Sequence, residues 1–387
     1  MNIGFIPLRK GSKGIPGKNI KKILGRPLYA WVLGEAILSN LDKIFIYTDD
    51  YKLIDFINEE YIYSGKVEAI KRSDESATDT SSTEYAMKEF YKKVNVSCTT
   101  LTLLQATSPL LTSENINKSI SLVKSEGFDS ALSVARTKRF LWNEKGESLN
   151  YNYNERPRRQ EFDGILLENG AVYTTSEDAY NNSYNRLSGN IGINEMPEES
   201  MFEIDEPSDF TIVELLLVQR LSNQKTPNKK ISTVVLDVDG VFTNGKVLYS
   251  KEGEFGKVFN MRDGMGLENL SNDINVIILT SENSELVRKR MEKLNMKNVY
   301  LGVKDKYAKL NAIVNKFNIS RSEILYLGDD INDLSNIISC GWGVCPNDAT
   351  TEVKQHADII LNNDGGDLAI REALSFVNKY NQRFLLV

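Results

Sequence analysis

Short apolar runs alternate with stretches of helical spacing along most of the chain. In the first half, runs typical of buried strands lie at Ile3–Leu8, Lys43–Thr48, Leu101–Gln105 and Ser130–Ala135. Helical spacing of apolar positions lies at Leu28–Leu38, Lys52–Glu60, Glu84–Val94, Ser113–Ser125 and 207–222. Such alternation predicts a parallel sheet with helices on both faces.

Two polar stretches interrupt this pattern. Residues 140–170 are aromatic and basic, which predicts an insertion or lid rather than core. Residues 223–230 are polar, include a proline and lack apolar periodicity, which is typical of a linker. The sequence therefore predicts two tandem α/β domains, at 1–222 and 231–387.

The alternation resumes after this linker. Predicted strands lie at Ile231–Leu236, Val276–Leu279, Val299–Leu301, Ile324–Leu327 and Ile359–Leu361. Predicted helices lie at 264–272, 284–294, 304–317, 331–339 and 367–380. The second half of the chain is therefore also predicted to be an α/β domain.

Composition narrows the chemistry available to the protein. The 47 Lys and Arg against 53 Asp and Glu give a net charge of −6, which argues against a general nucleic-acid partner. No run approaches the ~18 apolar residues of a membrane span. Three scattered cysteines suit a reducing cytoplasm. A single histidine, His356, excludes sites built on several imidazoles, and we expect it to be structural.

A basic, glycine-containing loop follows the first predicted strand. Leu8–Asn19 holds three glycines and four cations, so backbone amides and ammonium groups can surround a triphosphate. The loop matches neither GxxxxGK[ST] nor GxGxxG. A solvated surface loop is the alternative interpretation of these residues alone.

This loop resembles the signature loop of the CMP-sialic acid synthetases, the N-acylneuraminate cytidylyltransferases. Further segments resemble motifs of that family in order: Lys71–Ser73, Asp79–Thr83, Leu104–Pro109, Arg156–Gln160, Glu168–Tyr173 and Ile204–Asp205. The resemblance implies a Rossmann-like nucleotidyltransferase domain. It also implies CMP transfer from CTP to a sialic acid-type sugar acid, with release of pyrophosphate.

The same resemblance assigns roles to individual residues. Arg9, Ser12 and Lys18 would hold the CTP phosphates, and Arg9 and Lys18 would act in catalysis. Asn19, Arg72 and Thr83 would contact ribose and cytosine. Gln105, Lys138, Arg158 and Tyr173 would face the sugar acid, whose carboxylate suits the bidentate arginine fork.

The family also places an Asp-x-Asp pair near the end of this domain, as ligands of Mg²⁺. Here the pair is Glu203-Ile204-Asp205, with glutamate in the first position. Because the longer side chain changes the geometry, Asp205 is the stronger candidate and Glu203 the weaker. An acidic surface edge remains the alternative.

A second candidate site begins at an apolar strand that ends in Asp237-Val238-Asp239-Gly240. Alternate residues of a strand share a face, so the two carboxylates can converge on one cation at its carboxyl end. Further along, Asp329, Asp330 and Asp333 again follow a predicted strand.

This second set resembles the four motifs of the haloacid dehalogenase-like phosphatases, which have a Rossmannoid fold. The resemblance makes Asp237 the nucleophile and Asp239 the general acid and base, with Thr280 and Lys306 holding the phosphoryl group. Mg²⁺ would bind Asp237, the Asp239 carbonyl and Asp329, with Asp330 and Asp333 close by.

The subtype resembles the Kdo 8-phosphate phosphatase branch, on the segments Thr243–Gly245, Arg262–Gly266 and Asn363–Gly366. Members of that branch are tetramers, so a homotetramer formed through the C-terminal domain is implied. The fused layout resembles that of animal CMP-sialic acid synthetases, in which the phosphatase motif is degraded. Because Asp237, Asp239, Lys306 and Asp329 are all present here, we predict an active phosphatase.

The sequence thus predicts a bifunctional cytoplasmic enzyme that removes phosphate from a sugar-acid phosphate, such as a 9-phosphate, and activates the free acid with CTP. Two alternatives remain open: a Kdo-type cytidylyltransferase, and a C-terminal domain that acts only in oligomerisation. The sequence does not choose among N-acetylneuraminate, KDN and legionaminate-like acids, because a small substituent changes binding by only ~1–3 kcal/mol.

Overall fold

The computed structural model describes residues 1–11, 14–95, 97–226 and 228–384. By its contacts the chain divides into two compact units. One comprises residues 1–21 and 27–216, and the other comprises residues 22–26 and 217–387. Strands alternate with helices in both, which confirms the predicted α/β class.

The first half of the chain holds nine strands and six helices within its described residues. The strands are β1 (Asn2–Leu8), β2 (Lys22–Ile23), β3 (Arg26–Pro27), β4 (Lys43–Thr48), β5 (Val67–Lys71), β6 (Thr100–Leu104), β7 (Ser130–Thr137), β8 (Ile165–Ser176) and β9 (Ile191–Met196). The helices are α1 (Leu28–Leu38), α2 (Tyr51–Glu60), α3 (Thr83–Val94), α4 (Ser113–Lys124), α5 (Glu177–Ser183) and α6 (Pro207–Ser222).

Seven of these strands form one sheet in the order β5-β4-β1-β6-β8-β7-β9. Strand β8 runs antiparallel to both β6 and β7, whereas the other pairs are parallel. The predicted parallel sheet is therefore interrupted in this unit by one antiparallel strand, β8. Strands β7 and β8 need no helical crossover between them, since antiparallel neighbours accept any connection that reverses the chain.

The predicted lid is wrong at its C-terminal end. Residues from Ile165 onward belong to β8 rather than to an insertion. The first four residues of this strand are partly or fully exposed and most of the rest are buried, and the polar Glu168-Asn169-Gly170 interrupts its apolar pattern. The preceding segment is held by aromatic contacts, including Phe140 with Tyr151 at 4.2 Å and Trp142 with Tyr153 at 5.6 Å between ring centroids.

The second half of the chain supplies eight strands and six helices within its described residues. The strands are β10 (Thr233–Leu236), β11 (Leu248–Ser250), β12 (Gly253–Gly256), β13 (Asn275–Leu279), β14 (Asn298–Tyr300), β15 (Ile324–Leu327), β16 (Trp342–Cys345) and β17 (Ile359–Ile360). The helices are α7 (Met261–Glu268), α8 (Glu285–Lys293), α9 (Lys306–Phe317), α10 (Leu334–Ser339), α11 (Thr351–His356) and α12 (Ala369–Asn381).

Six of these strands form a wholly parallel sheet in the order β14-β13-β10-β15-β16-β17. The residues of β10 and β15 are buried throughout, as expected for central strands covered on both faces. Strands β11 and β12 form a separate hairpin that projects exposed apolar side chains. Within the described residues, no helix is both long enough and apolar enough to cross a bilayer.

Residues of the predicted linker make side-chain contacts with the second unit. Lys225 Nζ lies 2.6 Å from Asp358 Oδ2, and the Thr226 amide donates a 2.8 Å hydrogen bond to Ser322 Oγ. The segment just before Pro227 is therefore anchored to that unit.

The three cysteines are buried and unpaired with one another. Burial raises the pKa of Cys98 and of Cys345 to about 11, because the thiolate is poorly solvated there. We expect none of the three to react with Ellman's reagent near pH ~8 in the folded protein, and all three to react after denaturation.

The raised pKa values of Cys98 and Cys345 determine the direction in which stability changes with pH. Because the folded pKa lies above the unfolded one, the thiols' contribution to stability is complete below the unfolded value of ~8.5 and is lost as pH rises toward 11. Rapid thiol labelling of the native protein near pH ~8 would contradict this burial.

Candidate functional sites

A cleft of about 400 Å³ lies where β1 and β6 end, at the carboxyl edge of the seven-stranded sheet. This edge is the usual ligand position of α/β sheets. The cleft brings together residues predicted to bind three different groups. They are the predicted CTP contacts Arg9, Lys18, Asn19, Arg72 and Thr83, the predicted sugar-acid contact Gln105, and the predicted metal ligands Glu203 and Asp205. Ser12 lies outside the described residues.

The basic loop that follows β1 is held by its own side chains. Arg9 donates to the Thr78 carbonyl at 3.0 Å and to Asp79 Oδ1 at 2.9 Å. Asn19 Nδ2 donates to the Arg9 carbonyl at 3.1 Å, which ties the two ends of the loop together. The Arg9 side chain remains about one-third exposed (32%), so its guanidinium is accessible to an anion.

Arg72 is a buried cation at the same cleft. Its Nε donates to Ser76 Oγ at 3.1 Å and its terminal nitrogen donates to the Ser76 carbonyl. Burial lowers the pKa of Arg72, and nearby Asp49 opposes that shift. The guanidinium is thereby fixed in orientation before any ligand binds, which favours selective contact with a planar base or ribose.

Lys18 lies beside the two acidic residues of the cleft, Glu203 and Asp205. The Nζ of Lys18 donates to the Ile204 carbonyl at 2.7 Å and to Asp205 Oδ1 at 3.1 Å. Burial, and then the charge of Asp205, raise the pKa of Glu203 to about 7, while Lys18 opposes the shift. Two neighbouring carboxylates in a phosphate-sized cleft fit a divalent cation, whose charge would favour the ionised form of Glu203.

The three remaining predicted sugar-acid contacts are not brought together at this cleft. Tyr173 is buried in the core, where its hydroxyl donates to Glu168 and the Arg186 guanidinium lies 5.0 Å from its ring. Arg158 is exposed on the segment before β8, and Lys138 follows the end of β7. Among the described residues, none of these three lines the cleft.

A compact acidic cluster lies at the carboxyl edge of the parallel sheet of the second unit. Asp237 follows β10, and Asp329 and Asp333 follow β15, the strand paired with β10. Gly240 makes their approach possible, because a Cβ there would overlap the Asp329 carboxylate and its φ of +84° is strained for other residues.

Lys306 neutralises part of this cluster. It is the first residue of α9, its side chain is fully buried, and its Nζ lies 2.9 Å from Asp237 Oδ1 and 2.8 Å from Asp333 Oδ1. Burial by itself would lower the pKa of Lys306, but the two carboxylates outweigh it and raise it. Tyr326 adds a 2.5 Å hydrogen bond to Asp333 Oδ1. The ammonium is therefore fixed beside the predicted nucleophile.

Carboxylate oxygens of Asp237, Asp329 and Asp333 lie within 4.8 Å of one another. Asp329 Oδ1 and Asp333 Oδ2 are buried without a hydrogen-bond partner among the described residues. Burial raises the pKa of Asp237 to about 7 and of Asp329 to about 8. Orphaned oxygens with raised pKa values fit a hard cation such as Mg²⁺. Asp330 is exposed and accepts from the Ile331 amide, so it lies outside the cluster.

The remaining predicted phosphatase residues flank the cluster. Thr280 is buried directly after β13, the other neighbour of β10 in the sheet. Asp239 Oδ1 accepts from Thr243 Oγ1 at 3.3 Å. Both Asp239 oxygens also lie 2.6 Å from Nζ of Lys257, whose side chain is 1% exposed. A buried ammonium therefore faces the predicted general acid.

A family model described as cytidylyltransferase matches residues 3–233 of this chain. The chain belongs to the cytidylyltransferase family. It is similar along most of its length to N-acylneuraminate cytidylyltransferase B of Danio rerio, at 30% identity over 387 residues, covering 96% of this chain and 89% of that protein. The residues that the family model matches therefore include those that line the cleft.

The C-terminal part of this cytidylyltransferase belongs to the haloacid dehalogenase-like hydrolases, whose model matches residues 302–367. It is 35% identical over 150 residues to the 3-deoxy-D-manno-octulosonate 8-phosphate phosphatase KdsC of Haemophilus influenzae, covering 38% of this chain and 82% of that protein. A solved structure of the Moraxella catarrhalis phosphatase, in complex with magnesium, phosphate and KDO, aligns at 28% identity and a TM-score of 0.39 over 44% of this chain and 97% of that chain.

Sequence reasoning missed Lys257 and underrated Asp333. Lys257 lies in the loop after the β11–β12 hairpin and contacts Asp239, 18 positions earlier in the sequence. Nothing in its local sequence distinguishes it from a surface lysine. Asp333 was named only as a neighbour, yet it accepts from both Lys306 and Tyr326. Its position two residues after Ile331 on an irregular turn gives no periodic signal.

Proposed function

We propose that the protein is a bifunctional enzyme of sugar-acid activation. Its N-terminal unit transfers CMP from CTP to a sialic acid-type acid with release of pyrophosphate. Its C-terminal unit hydrolyses a phosphate ester of such an acid, for example a 9-phosphate. The observation that carries the proposal is the intact buried set of Asp237, Lys306, Asp329 and Asp333, present in the same chain as the basic cleft.

In CMP transfer, a hydroxyl of the sugar acid attacks the α-phosphorus of CTP, the bond to the pyrophosphate oxygen breaks, and the hydroxyl proton is released to solvent. Arg9 and Lys18 hold the phosphates and offset the charge that develops on the leaving group. Asn19, Arg72 and Thr83 orient ribose and cytosine. Gln105, which lines the cleft, is proposed to contact the sugar acid. Lys138, Arg158 and Tyr173 are proposed sugar-acid contacts on the family resemblance alone. Mg²⁺ held by Glu203 and Asp205 would supply additional positive charge to the phosphates.

In phosphate hydrolysis, the Asp237 carboxylate attacks phosphorus and the bond to the sugar oxygen breaks, while Asp239 donates a proton to that oxygen. Water then attacks the aspartyl-phosphate, Asp239 takes a proton from it, and inorganic phosphate leaves. Thr280 and Lys306 contact the phosphoryl oxygens and balance their charge. Mg²⁺ at Asp237, Asp329, Asp333 and the Asp239 carbonyl would offset the negative charge of cluster and phosphate together.

Lys257 is proposed to orient Asp239, the general acid and base of phosphate hydrolysis. Its ammonium, 2.6 Å from both Asp239 oxygens, holds the carboxylate in one orientation in the absence of substrate. The contact also ties the loop after the β11–β12 hairpin to the reacting groups. A substrate that enters beside Asp239 must therefore share or displace this ion pair.

We further propose that the enzyme is a cytoplasmic homotetramer assembled through its C-terminal unit. Support comes from large exposed apolar side chains that cluster on and after the β11–β12 hairpin: Leu248, Tyr249, Phe255, Val258, Met261 and Met265. Contiguous exposed apolar surface marks protein interfaces. The three free, buried cysteines suit a reducing compartment.

The proposal is tested by a panel of nonulosonates, each as the free acid and as its phosphate ester. Pyrophosphate release with CTP and phosphate release without CTP are measured separately. We expect sialic acid-type acids to support pyrophosphate release and their phosphates to support phosphate release. Preference for Kdo would indicate a Kdo-type cytidylyltransferase, and absence of phosphate release from every ester would leave the C-terminal unit as an assembly module.

A further inference from the structure

A short turn from near the N-terminus of the chain forms part of the second unit. Residues 22–26 belong by their contacts to that unit, and the turn connects β2 to β3. Arg26 within it is only 4% exposed. A buried arginine on a two-residue strand requires a partner, since burial of an unpaired guanidinium is strongly unfavourable.

The partner of Arg26 is Asp305, 279 positions away in the sequence. Nε donates to Oδ1 and a terminal nitrogen donates to Oδ2, both at 2.9 Å, which is the bidentate fork geometry. Asp305 is itself the N-cap of α9 and accepts from the Ala308 amide at 3.2 Å. The guanidinium also lies 4.7 Å from the centre of the Tyr307 ring. Arg26 therefore holds the first turn of α9.

The same turn contacts the acidic loop that follows β15. Ser335 Oγ donates to the Leu24 carbonyl at 2.7 Å. Gly25 lies against the Ile331 carbonyl so closely that a Cβ would overlap that oxygen, and its φ is +81°. The turn thus rests on both segments that carry the phosphatase cluster: the start of α9, with Lys306, and the loop with Asp329 and Asp333.

We propose that Arg26 is a positioning residue of the phosphatase site, acting through Asp305 to fix Lys306 against Asp237 and Asp333. The inference rests on the proposed phosphatase function. The contacts described above join Arg26 to Asp305 and Tyr307. Its effect reaches the reacting groups because Lys306 is the residue directly after the N-cap that Arg26 clamps. Loosening that cap moves the ammonium relative to the nucleophile, and misplacement by ~1 Å can cost ~10²-fold in rate.

The test uses the full-length protein and the phosphate ester that the wild type hydrolyses best. We expect Arg26→Ala to lower kcat for phosphate release by ~10–100-fold while KM changes by less than ~3-fold. Arg26→Lys should retain more activity, and added guanidinium should partly restore Arg26→Ala. Asp305→Asn keeps a side chain that can cap α9 but loses the ion pair with Arg26. Because Arg26→Ala has already removed that ion pair, the double variant should hydrolyse the ester no more slowly than Arg26→Ala alone.

Arg186→Lys is the matched control. This variant changes an arginine that pairs with Glu84 at 2.5 Å and lies 5.0 Å from the Tyr173 ring, within the other unit. It should lower the melting temperature with little change in kcat. If Arg26→Ala also loses only stability, with kcat and KM as in the wild type, the positioning role is wrong.

Failure of the proposed function is distinguishable from failure of this inference. A wild-type protein that releases no phosphate refutes the phosphatase function. The positioning role is then decided by hydrogen exchange at the amides of Lys306–Ala308, which must accelerate in Arg26→Ala and not in Arg186→Lys. Unchanged exchange in Arg26→Ala would overturn it.

Discussion

Asp237→Asn should abolish phosphate release, with kcat falling by ~10³-fold or more, because a carboxamide cannot form the aspartyl-phosphate. The protein should still fold, since Lys306 keeps its 2.8 Å ion pair with Asp333 and the volume of the side chain is unchanged. Phosphate release from the preferred ester, followed by malachite green, measures the effect. CTP-dependent pyrophosphate release by the same preparation should remain at the wild-type rate.

Asp273→Asn is the control for this loss. Asp273 is an exposed aspartate paired with Lys230 at 2.7 Å, at the opposite edge of the sheet, before β13. It removes the same charge and should leave both activities unchanged. If Asp237→Asn released phosphate as fast as the wild type, Asp237 would not be the nucleophile and the phosphatase assignment would be wrong.

Lys18→Met should lower kcat/KM for CTP by ~10²–10³-fold, since removal of one preorganised group that stabilises developing charge has an effect of that size. Lys18 suits this role because its side chain is only 14% exposed and its Nζ is held by the Ile204 carbonyl and Asp205. Methionine keeps most of the side-chain volume, so the cleft should not collapse. Pyrophosphate release at varied CTP concentration measures the change.

Lys43→Met provides the comparison for Lys18. Lys43 begins β4, at the edge of the sheet opposite the cleft, and lies 4.0 Å from Glu68. Its replacement should leave kcat/KM for CTP within ~2-fold, because an exposed ion pair contributes little. Equal losses in the two variants would mean that net charge, rather than contact with the phosphates, governs activity.

Elements with strong local patterns could be predicted from the sequence. The helix Leu28–Leu38 and the strands Lys43–Thr48 and Ile324–Leu327 have the predicted bounds. Their apolar runs are continuous because they are buried, and polar residues mark their ends. Strand β8 could not be predicted, because Glu168-Asn169-Gly170 interrupts its apolar pattern and its antiparallel pairing depends on neighbours distant in sequence.

Some residues of the candidate sites could likewise be predicted from the sequence, and others could not. Motif residues at strand ends, such as Asp237 and Gln105, could be named because the carboxyl edge of a sheet collects them. Arg26 and Lys257 could not, since each reaches its carboxylate through a contact that the local sequence does not encode. Tyr173 lies on β8, where its hydroxyl donates to Glu168 in the core.

Two consecutive activities on one chain can be followed in a single reaction. The protein is supplied with a nonulosonate 9-phosphate, CTP and Mg²⁺, and all products are measured together. We expect the CMP-sugar without its phosphate, accompanied by one phosphate and one pyrophosphate, and we expect Asp237→Asn to form this CMP-sugar only from the free acid. Formation of a CMP-sugar that retains the phosphate, or equal yield from the ester by Asp237→Asn, would contradict the proposal.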